Sequence, residues 1–390
     1  SNMRKIAIIG SGIAGLVLGN FLREFNLNFK IFETKKEINP HEGYGIQLST
    51  NSIKILNKIG FNKFDKDKFF NPKKVCFKSL NNQKLISEIN INTFNNENEL
   101  YTCLRRPSLL KFLSKDLSEF IKFDKYVTNL EHSENKIKIN FRDGSSENFD
   151  FLVIATGMDS NAKKFVCENS TNPHYSDSIA IRATFKDDLK IIDKENISLF
   201  LGNNAHLVTY PINKNQDLNA VLITKLQVEK DPYYKWRYSE EEQKLISSTL
   251  NEKLYIHNKD FKYIFEKRFN WWPINIDKNF AHPKFKNVFV IGDALFSNLP
   301  TLAQGAAQAI ESAFEVSNYF RAADYFDLQS YYRRRIKRLN LIDRRTRINY
   351  FIFHLSNPFL ILIRNIFLKF FSKNKFFLNQ YLGKVYKTSW

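Results

Sequence analysis

Lys5-Ile-Ala-Ile-Ile9 runs directly into Gly10-Ser-Gly12-Ile-Ala-Gly15; a helical pattern follows, and Phe29-Lys-Ile-Phe-Glu33 reads as a second strand ending in an acid. Gly10 permits the tight turn off the strand. Gly12 lets backbone approach a pyrophosphate with no Cβ between them, and Gly15 lets the helix lie close on the sheet. The helix start, with Ile13 and Ala14, offers free N–H groups and a partial positive charge to phosphates. Glu33 lies 18 residues past Gly15, where it can accept both hydroxyls of an adenosine ribose. A carboxylate there disfavours a 2′-phosphate, so the site suits FAD or NAD rather than NADP.

A second constellation begins at Val290-Ile-Gly292-Asp293 and continues through Pro300 to Ala303-Gln-Gly305-Ala306 and Glu311. A buried strand ends in Gly-Asp, whose carboxylate can bond a ribityl or ribose hydroxyl. The small-residue helix start at Gln304, Gly305 and Ala306 aims N–H groups at a developing negative charge. In a reduced flavin that charge sits at N1 and O2. One dinucleotide loop paired with this cradle points to FAD as the resident cofactor.

Composition bounds the rest. The chain has 390 residues, 43% of them hydrophobic, which fits a globular protein of two or three subdomains. Ser1-Asn2 ahead of Met3 reads as a cloning scar, and the apolar N-terminal run is the first strand rather than a signal peptide. Three scattered cysteines suggest a reducing compartment, cytoplasmic, with neither a disulfide frame nor zinc. The net charge of +19 fits either attraction to an anionic partner or lysines spread through every loop. No zinc-finger, RNP or basic-zipper pattern supports nucleic acid.

Along the chain, 43–51 (Gly43-Tyr-Gly45-Ile-Gln47-Leu-Ser-Thr-Asn51) reads as a loop beside the cofactor, followed by a helix to Gly60. Alternation over 66–100 reads as strands, and Leu104-Arg-Arg-Pro107 as a helix start. Strands are expected at 137–141 and 149–155 with the turn Asp143-Gly144 between them. Strands at 179–185, 197–200, 206–211 and 220–224 form a mainly antiparallel sheet. A helix is expected at 239–257, a long helix at 304–320, and helices from Tyr325 onward. The domain boundaries are 3–170 with 276–325, 171–275, and 326–390; the strands near 66–100 join the second unit's sheet.

At this point the chain resembles the group A FAD-dependent aromatic hydroxylases, and among them the salicylate-hydroxylase-like branch. The resemblance rests on Gly10/Gly12/Gly15 with Glu33, the 43–51 segment, Arg106-Pro-Ser-Leu109 and Leu152-Val-Ile-Ala-Thr-Gly157-Met-Asp-Ser160. It rests also on Gly292-Asp293 with 302–311, and on Arg347-Ile-Asn-Tyr-Phe-Ile-Phe-His354-Leu-Ser-Asn-Pro358. It implies an α/β fold: a Rossmann-type FAD-binding domain, p-hydroxybenzoate-hydroxylase-like, with an inserted mainly antiparallel β-sheet substrate domain and a C-terminal helical segment. It implies an FAD-dependent monooxygenase in which NAD(P)H reduces FAD and O2 adds at flavin C4a. The hydroperoxide then hydroxylates a small phenolic or carboxylated aromatic. Gly45, Gln47 and Arg106 would then flank the flavin or its phosphates. Thr156 and Phe296 depart from the family's usual Asp and His, and motivate a further reading as a flavin-binding protein without turnover.

His206 and Tyr210 share one face of a strand and match a His/Tyr pair that faces substrate in this branch. They either form an acid/base pair acting on a phenol or merely pack the sheet. Arg182, in Ile181-Arg-Ala-Thr-Phe185, either holds a substrate carboxylate or pairs within the sheet. Leu299 and Pro300 are expected to line the pocket. His41, His132, His174, His257, His282 and His354 show no metal spacing and read as structural. At the C-terminus, eight Arg and Lys from Arg333 to Arg347 precede the aromatic run Phe359-Leu-Ile-Leu-Ile-Arg-Asn-Ile-Phe-Leu-Lys-Phe-Phe371. Its apolar face packs on the body or on a second subunit, as in a homodimer, or lies on a membrane surface. A lipid-like or quinone substrate taken at that surface is the corresponding alternative for the activity.

Overall fold

In the computed structural model, Lys5–Ile9 is the central strand of a five-stranded parallel sheet. The structure describes residues 4–38, 43–157, 161–168, 173–187, 190–228, 240–322 and 328–388; His41 and Met158-Asp-Ser160 lie outside them. The sheet order is Val288–Val290, Phe151–Ile154, Lys5–Ile9, Asn28–Phe32, Ile121–Lys122. Its inner strands are buried on both faces, as a continuous apolar run demands of a covered parallel sheet. Helix Ile13–Glu24 covers one face and packs on helix Gly305–Arg321. The approach is very close at the turn. Gly10 sits at φ +110°, and a Cβ at Gly15 would lie 2.1 Å from the Gly10 carbonyl oxygen, so neither position tolerates a side chain.

The run expected as one strand at 149–155 is two. Ser146–Phe149 closes a hairpin with Lys136–Phe141 around Asp143-Gly144, while Phe151–Ile154 joins the parallel sheet. Asp150 makes the break: its carboxylate accepts the Lys5 N–H at 2.8 Å and its own N–H donates to the Lys5 carbonyl.

A seven-stranded sheet runs Asn270–Ile276, His174–Phe185, Leu218–Lys225, Ala205–Pro211, Ile197–Gly202, Lys74–Ser79, Leu85–Asn90. All its pairings are antiparallel except Ile197–Gly202 with Lys74–Ser79. A small sheet of Gly45–Leu48, Thr102–Arg105 and Phe69–Phe70 bridges the two larger ones, and the Gly45 N–H donates to Asn219 Oδ1 at 2.9 Å.

Helix Leu328–Phe353 locks the halves together. Glu311 is fully buried, and its carboxylate accepts from Asn51, Gln308, Arg335 and Arg338. Arg335, also fully buried, additionally bonds Glu315 at 3.0 Å and the Gln308 side chain at 2.8 Å. Burial pushes the Glu311 carboxyl up, but Arg338, Arg335 and Asn51 outweigh it and hold it below its ordinary value. Much of the basic run therefore fastens the fold: Arg338 also bonds the carbonyls of Lys384 and Val385, and Arg345 those of Gln380 and Tyr381.

Arg335→Met would leave Glu315 and part of Glu311 buried without a counter-charge. It should cost ~3–5 kcal/mol, measured as a lower urea midpoint at unchanged slope. Adding Glu315→Gln should recover part of that loss.

Candidate functional site

The loop from Gly292 to Gly305 lies between the two large sheets. It leaves the parallel sheet after Val290, turns through Ala303 in the left-handed region (φ +54°) and enters helix Gly305–Arg321. Such a non-glycine backbone costs ~1–3 kcal/mol and concentrates at functional sites. The first intrahelical bond is from the Gln308 N–H to the Gln304 carbonyl, so the N–H groups of Gly305, Ala306 and Ala307 precede the helical ladder.

Two adjoining cavities open around this loop. The smaller, about 340 Å³, is lined by Gly45, Gln47, Arg182, Tyr210, Trp272, Asp293, Leu299, Gly305 and Ala306 among others. The larger, about 490 Å³, is mainly apolar; Phe77, Ile89, Leu199, His206, Ile352 and Phe371 are among its walls. Gln47, Val208, Pro300 and Ala303 border both. The structure thus gathers Gly45, Gln47, Arg182, Tyr210, Asp293, Leu299, Pro300, Gly305 and Ala306 around one space. His206 shares the strand face with Val208 and Tyr210 but opens into the larger cavity. The Gln304 side chain is committed elsewhere, donating to Ser49 Oγ at 2.7 Å, which leaves its backbone alone for a ligand.

The residues fit FAD. A Cβ built on Gly12 meets nothing within 4 Å, nor does one on Gly305, so both helix starts face open space that a side chain would fill. The Thr156 hydroxyl, beside the Gly10 turn, is buried without a partner. Glu33 stands at the tip of its strand, its carboxylate accepting from Ser11 N–H and Oγ and from Lys35 N–H. Burial raises that carboxyl, but these donors outweigh it and keep it ionised. Asp293 lines the smaller cavity and is exposed to that open space; the protein packed around it raises its carboxyl, while Arg106 and Lys163 oppose the rise. Arg106, first residue of helix Arg106–Ser114, is itself lowered by burial and supported by Asp293. Phe296, where the family resemblance leads one to expect a His, stacks on Phe280 at 4.4 Å and is core.

Arg182 carries the opposite electrostatics. Its guanidinium lies 4.4 Å from the Trp272 ring centroid, and its Nε is buried without a partner. Burial lowers it, with the Tyr210 and Tyr44 hydroxyls opposing. Tyr210 accepts from Asn219 Nδ2 at 3.0 Å, and burial pushes its phenol well above the ordinary value, so it stays a neutral hydroxyl. That removes Tyr210 as a base at neutral pH.

His354, read from sequence as structural, lies against His206: Nδ1 of His206 and Nε2 of His354 are 2.7 Å apart. Burial pushes His206 down to about 3 and His354 down to about 2. Both rings are neutral, so one donates and the other accepts. Nδ1 of His354 is buried without a partner. An orphaned lone pair is tolerated better than an orphaned N–H, which places the His354 proton on Nε2 and makes it the donor. His206 then carries its own proton on Nε2. Sequence reasoning missed this pair, and also Trp272, Tyr101 and Asn219. Tyr101 donates to Gln47 Oε1 at 2.7 Å. The available signals were the Trp271-Trp272 doublet and a lone Asn in the apolar strand Leu218–Lys225.

Residues 3–324 match the family model described as FAD binding domain. An FAD-dependent monooxygenase of Gibberella moniliformis is 25% identical over 342 residues, covering 80% of this chain and 76% of that protein. A salicylate hydroxylase of Pseudomonas putida is 22% identical over 337 residues, covering 80% and 75%. Among solved structures, Klebsiella pneumoniae HpxO complexed with FAD and uric acid superposes with a TM-score of 0.83 at 17% identity, covering 98% of this chain and 97% of that one. This last likeness is one of fold.

Gly12→Val places its Cβ in the open space at the first helix start, where no protein atom lies within 4 Å. It should leave stability within ~1 kcal/mol and abolish FAD retention, read from the flavin-to-protein absorbance ratio. The histidine pair sets an acid limit. Both rings are neutral when folded but take up a proton near pH 6.5 when unfolded, so their contribution is complete above that pH and is lost as the pH falls below it. His354→Gln, which keeps a donor toward His206, should make unfolding free energy fall less steeply between pH 6.5 and 4.

Proposed function

We propose that this chain, which belongs to the FAD binding domain family, is an FAD-dependent monooxygenase that uses NAD(P)H and O2 to hydroxylate a small aromatic substrate bearing a phenol or carboxylate. The observation that carries the reading is the junction of the two cavities at Gln47, Val208, Pro300 and Ala303. A ring held there would lie between the helix start at Gly305 and the apolar chamber.

FAD, when bound, supplies the electrons and the activated oxygen. The free N–H groups at Gly305 and Ala306 favour negative charge beside them. Arg182, half-buried and without an anionic partner among the described residues, provides the cation for a carboxylate or phenolate. His206, protonated at Nε2 and fixed by His354, donates a hydrogen bond rather than removing a proton. Such donors lower the substrate phenol's own pKa by stabilising its anion, and an electron-rich phenolate is the form most readily oxygenated. Tyr210 acts as a neutral hydroxyl at the rim. The mainly apolar wall of the larger cavity excludes water from the reacting atoms.

The same apolar wall favours a second reading, a lipid-like or quinone substrate whose ring occupies the junction and whose apolar part fills the larger cavity. Cytoplasmic residence fits the free cysteines Cys76, Cys103 and Cys167, all buried.

With FAD bound, an aromatic panel should include a compound that stimulates NAD(P)H oxidation and yields a product one oxygen atom heavier by mass spectrometry. Absence of both across phenols, hydroxybenzoates and alkylated quinols would remove the proposal. Arg182→Met should raise KM for a carboxylated substrate by ~10–100-fold, the loss of a charge-assisted hydrogen bond, with less effect on an uncharged phenol.

A further inference from the structure

Helix Pro358–Phe371 is turned inside out. Arg364 is its one fully buried residue, only 6% exposed, and its guanidinium donates to the Ile352 carbonyl at 3.2 Å. Large apolar side chains face solvent instead: Phe359 is 68% exposed, Ile366 60% and Phe370 65%. With Leu362 and Ile363 they recur at helical spacing and form one stripe. Phe351 on the preceding helix and Phe376 beyond it, 75% exposed, also present apolar side chains to solvent. No described helix is long and apolar enough to cross a membrane.

Charge says what covers this stripe. Asp343 is the last acidic residue; 344–390 contains nine Arg and Lys and no Asp or Glu. Lys369, Lys373 and Lys375 are exposed at the C-terminal end of the stripe. A second copy docked face to face would set two wholly basic segments against each other, whereas an anionic lipid surface satisfies both the apolar stripe and its basic border. The inner face of the same helix, through Phe367, Leu368 and Phe371, lines the larger cavity. Ile348 is both 43% exposed and part of that lining, so the cavity and the exposed apolar surface are continuous.

We propose that helix Pro358–Phe371 lies in the surface of an anionic bilayer and that the larger cavity receives its substrate, an amphiphile with an aromatic head and an apolar chain, from that bilayer. The docking stands on the helix alone; the substrate source rests on the monooxygenase reading above.

The test uses the full chain with FAD bound. Co-sedimentation with phosphatidylcholine–phosphatidylglycerol vesicles at low salt should exceed that with phosphatidylcholine alone by ~tenfold or more, and should fall as salt rises. The triple variant Phe359→Ser, Ile366→Ser, Phe370→Ser should lose vesicle binding while keeping its flavin spectrum and its turnover of a water-soluble substrate. No binding to either vesicle overturns the docking. So does a wild-type dimer in sedimentation velocity that the triple variant converts to monomer, because the stripe is then covered by a second copy. Binding is read without turnover, so a protein that binds vesicles but oxidises nothing refutes only the monooxygenase reading. For the substrate source, an alkylated quinol presented in anionic vesicles should be turned over at least ~tenfold faster by wild type than by the triple variant; equal rates would refute delivery from the bilayer.

Discussion

The carboxylate of Glu311 is the point on which this architecture turns. It sits in helix Gly305–Arg321 with no solvent exposure and accepts from the segment after Gly45–Leu48 through Asn51, from its own helix through Gln308, and from helix Leu328–Phe353 through Arg335 and Arg338. An isolated ion at that depth would be prohibitive. Surrounded by two guanidiniums and two amides, it becomes a fixed anchor. Because Asn51 also reaches Gln304, the anchor sets the position of the helix start that closes the smaller cavity.

The rest of the site follows from that fixed helix start. The loop before it has to pass from the parallel sheet to the helix across the edge of the other sheet, and it does so through Pro300 and a left-handed Ala303. Both residues border the two cavities. The larger sheet supplies what the loop lacks: the cation Arg182 on one strand and the neutral His206 and Tyr210 on another. The C-terminal helices close the far side, His354 by fixing His206 and Phe367 and Phe371 by walling the apolar chamber.

Much of the cofactor end was legible residue by residue. Gly10, Gly12 and Gly15 act through their own backbone, and their spacing survives translation into structure because the strand, turn and helix are contiguous. The same holds for Gly292-Asp293 and the helix start at Gly305. Where the reading went astray, a tertiary contact had intervened. Asp150 splits an apolar run in two because its partner is the backbone of Lys5, 145 residues away. The basic run 333–347 was legible only as a cluster of charge; its partners are tertiary, since Arg335, Arg338 and Arg345 spend their charge on buried carboxylates and on carbonyls of the tail.

Sequence alone therefore determined the dinucleotide loop, the acid that follows it and the family likeness, since each depends on neighbours a few residues apart. Tertiary structure alone decided the side of the cavities away from the dinucleotide loop. His206 meets His354 across 148 residues, and Arg182 meets Trp272 through the register of two antiparallel strands. Whether an aromatic helix faces inward or outward was likewise beyond periodicity: the stripe at Phe359, Ile366 and Phe370 would suit either side. It faces out because Arg364, on the opposite side, finds a carbonyl partner at Ile352, and a charge with such a partner holds the inner face while the apolar residues take the outer one.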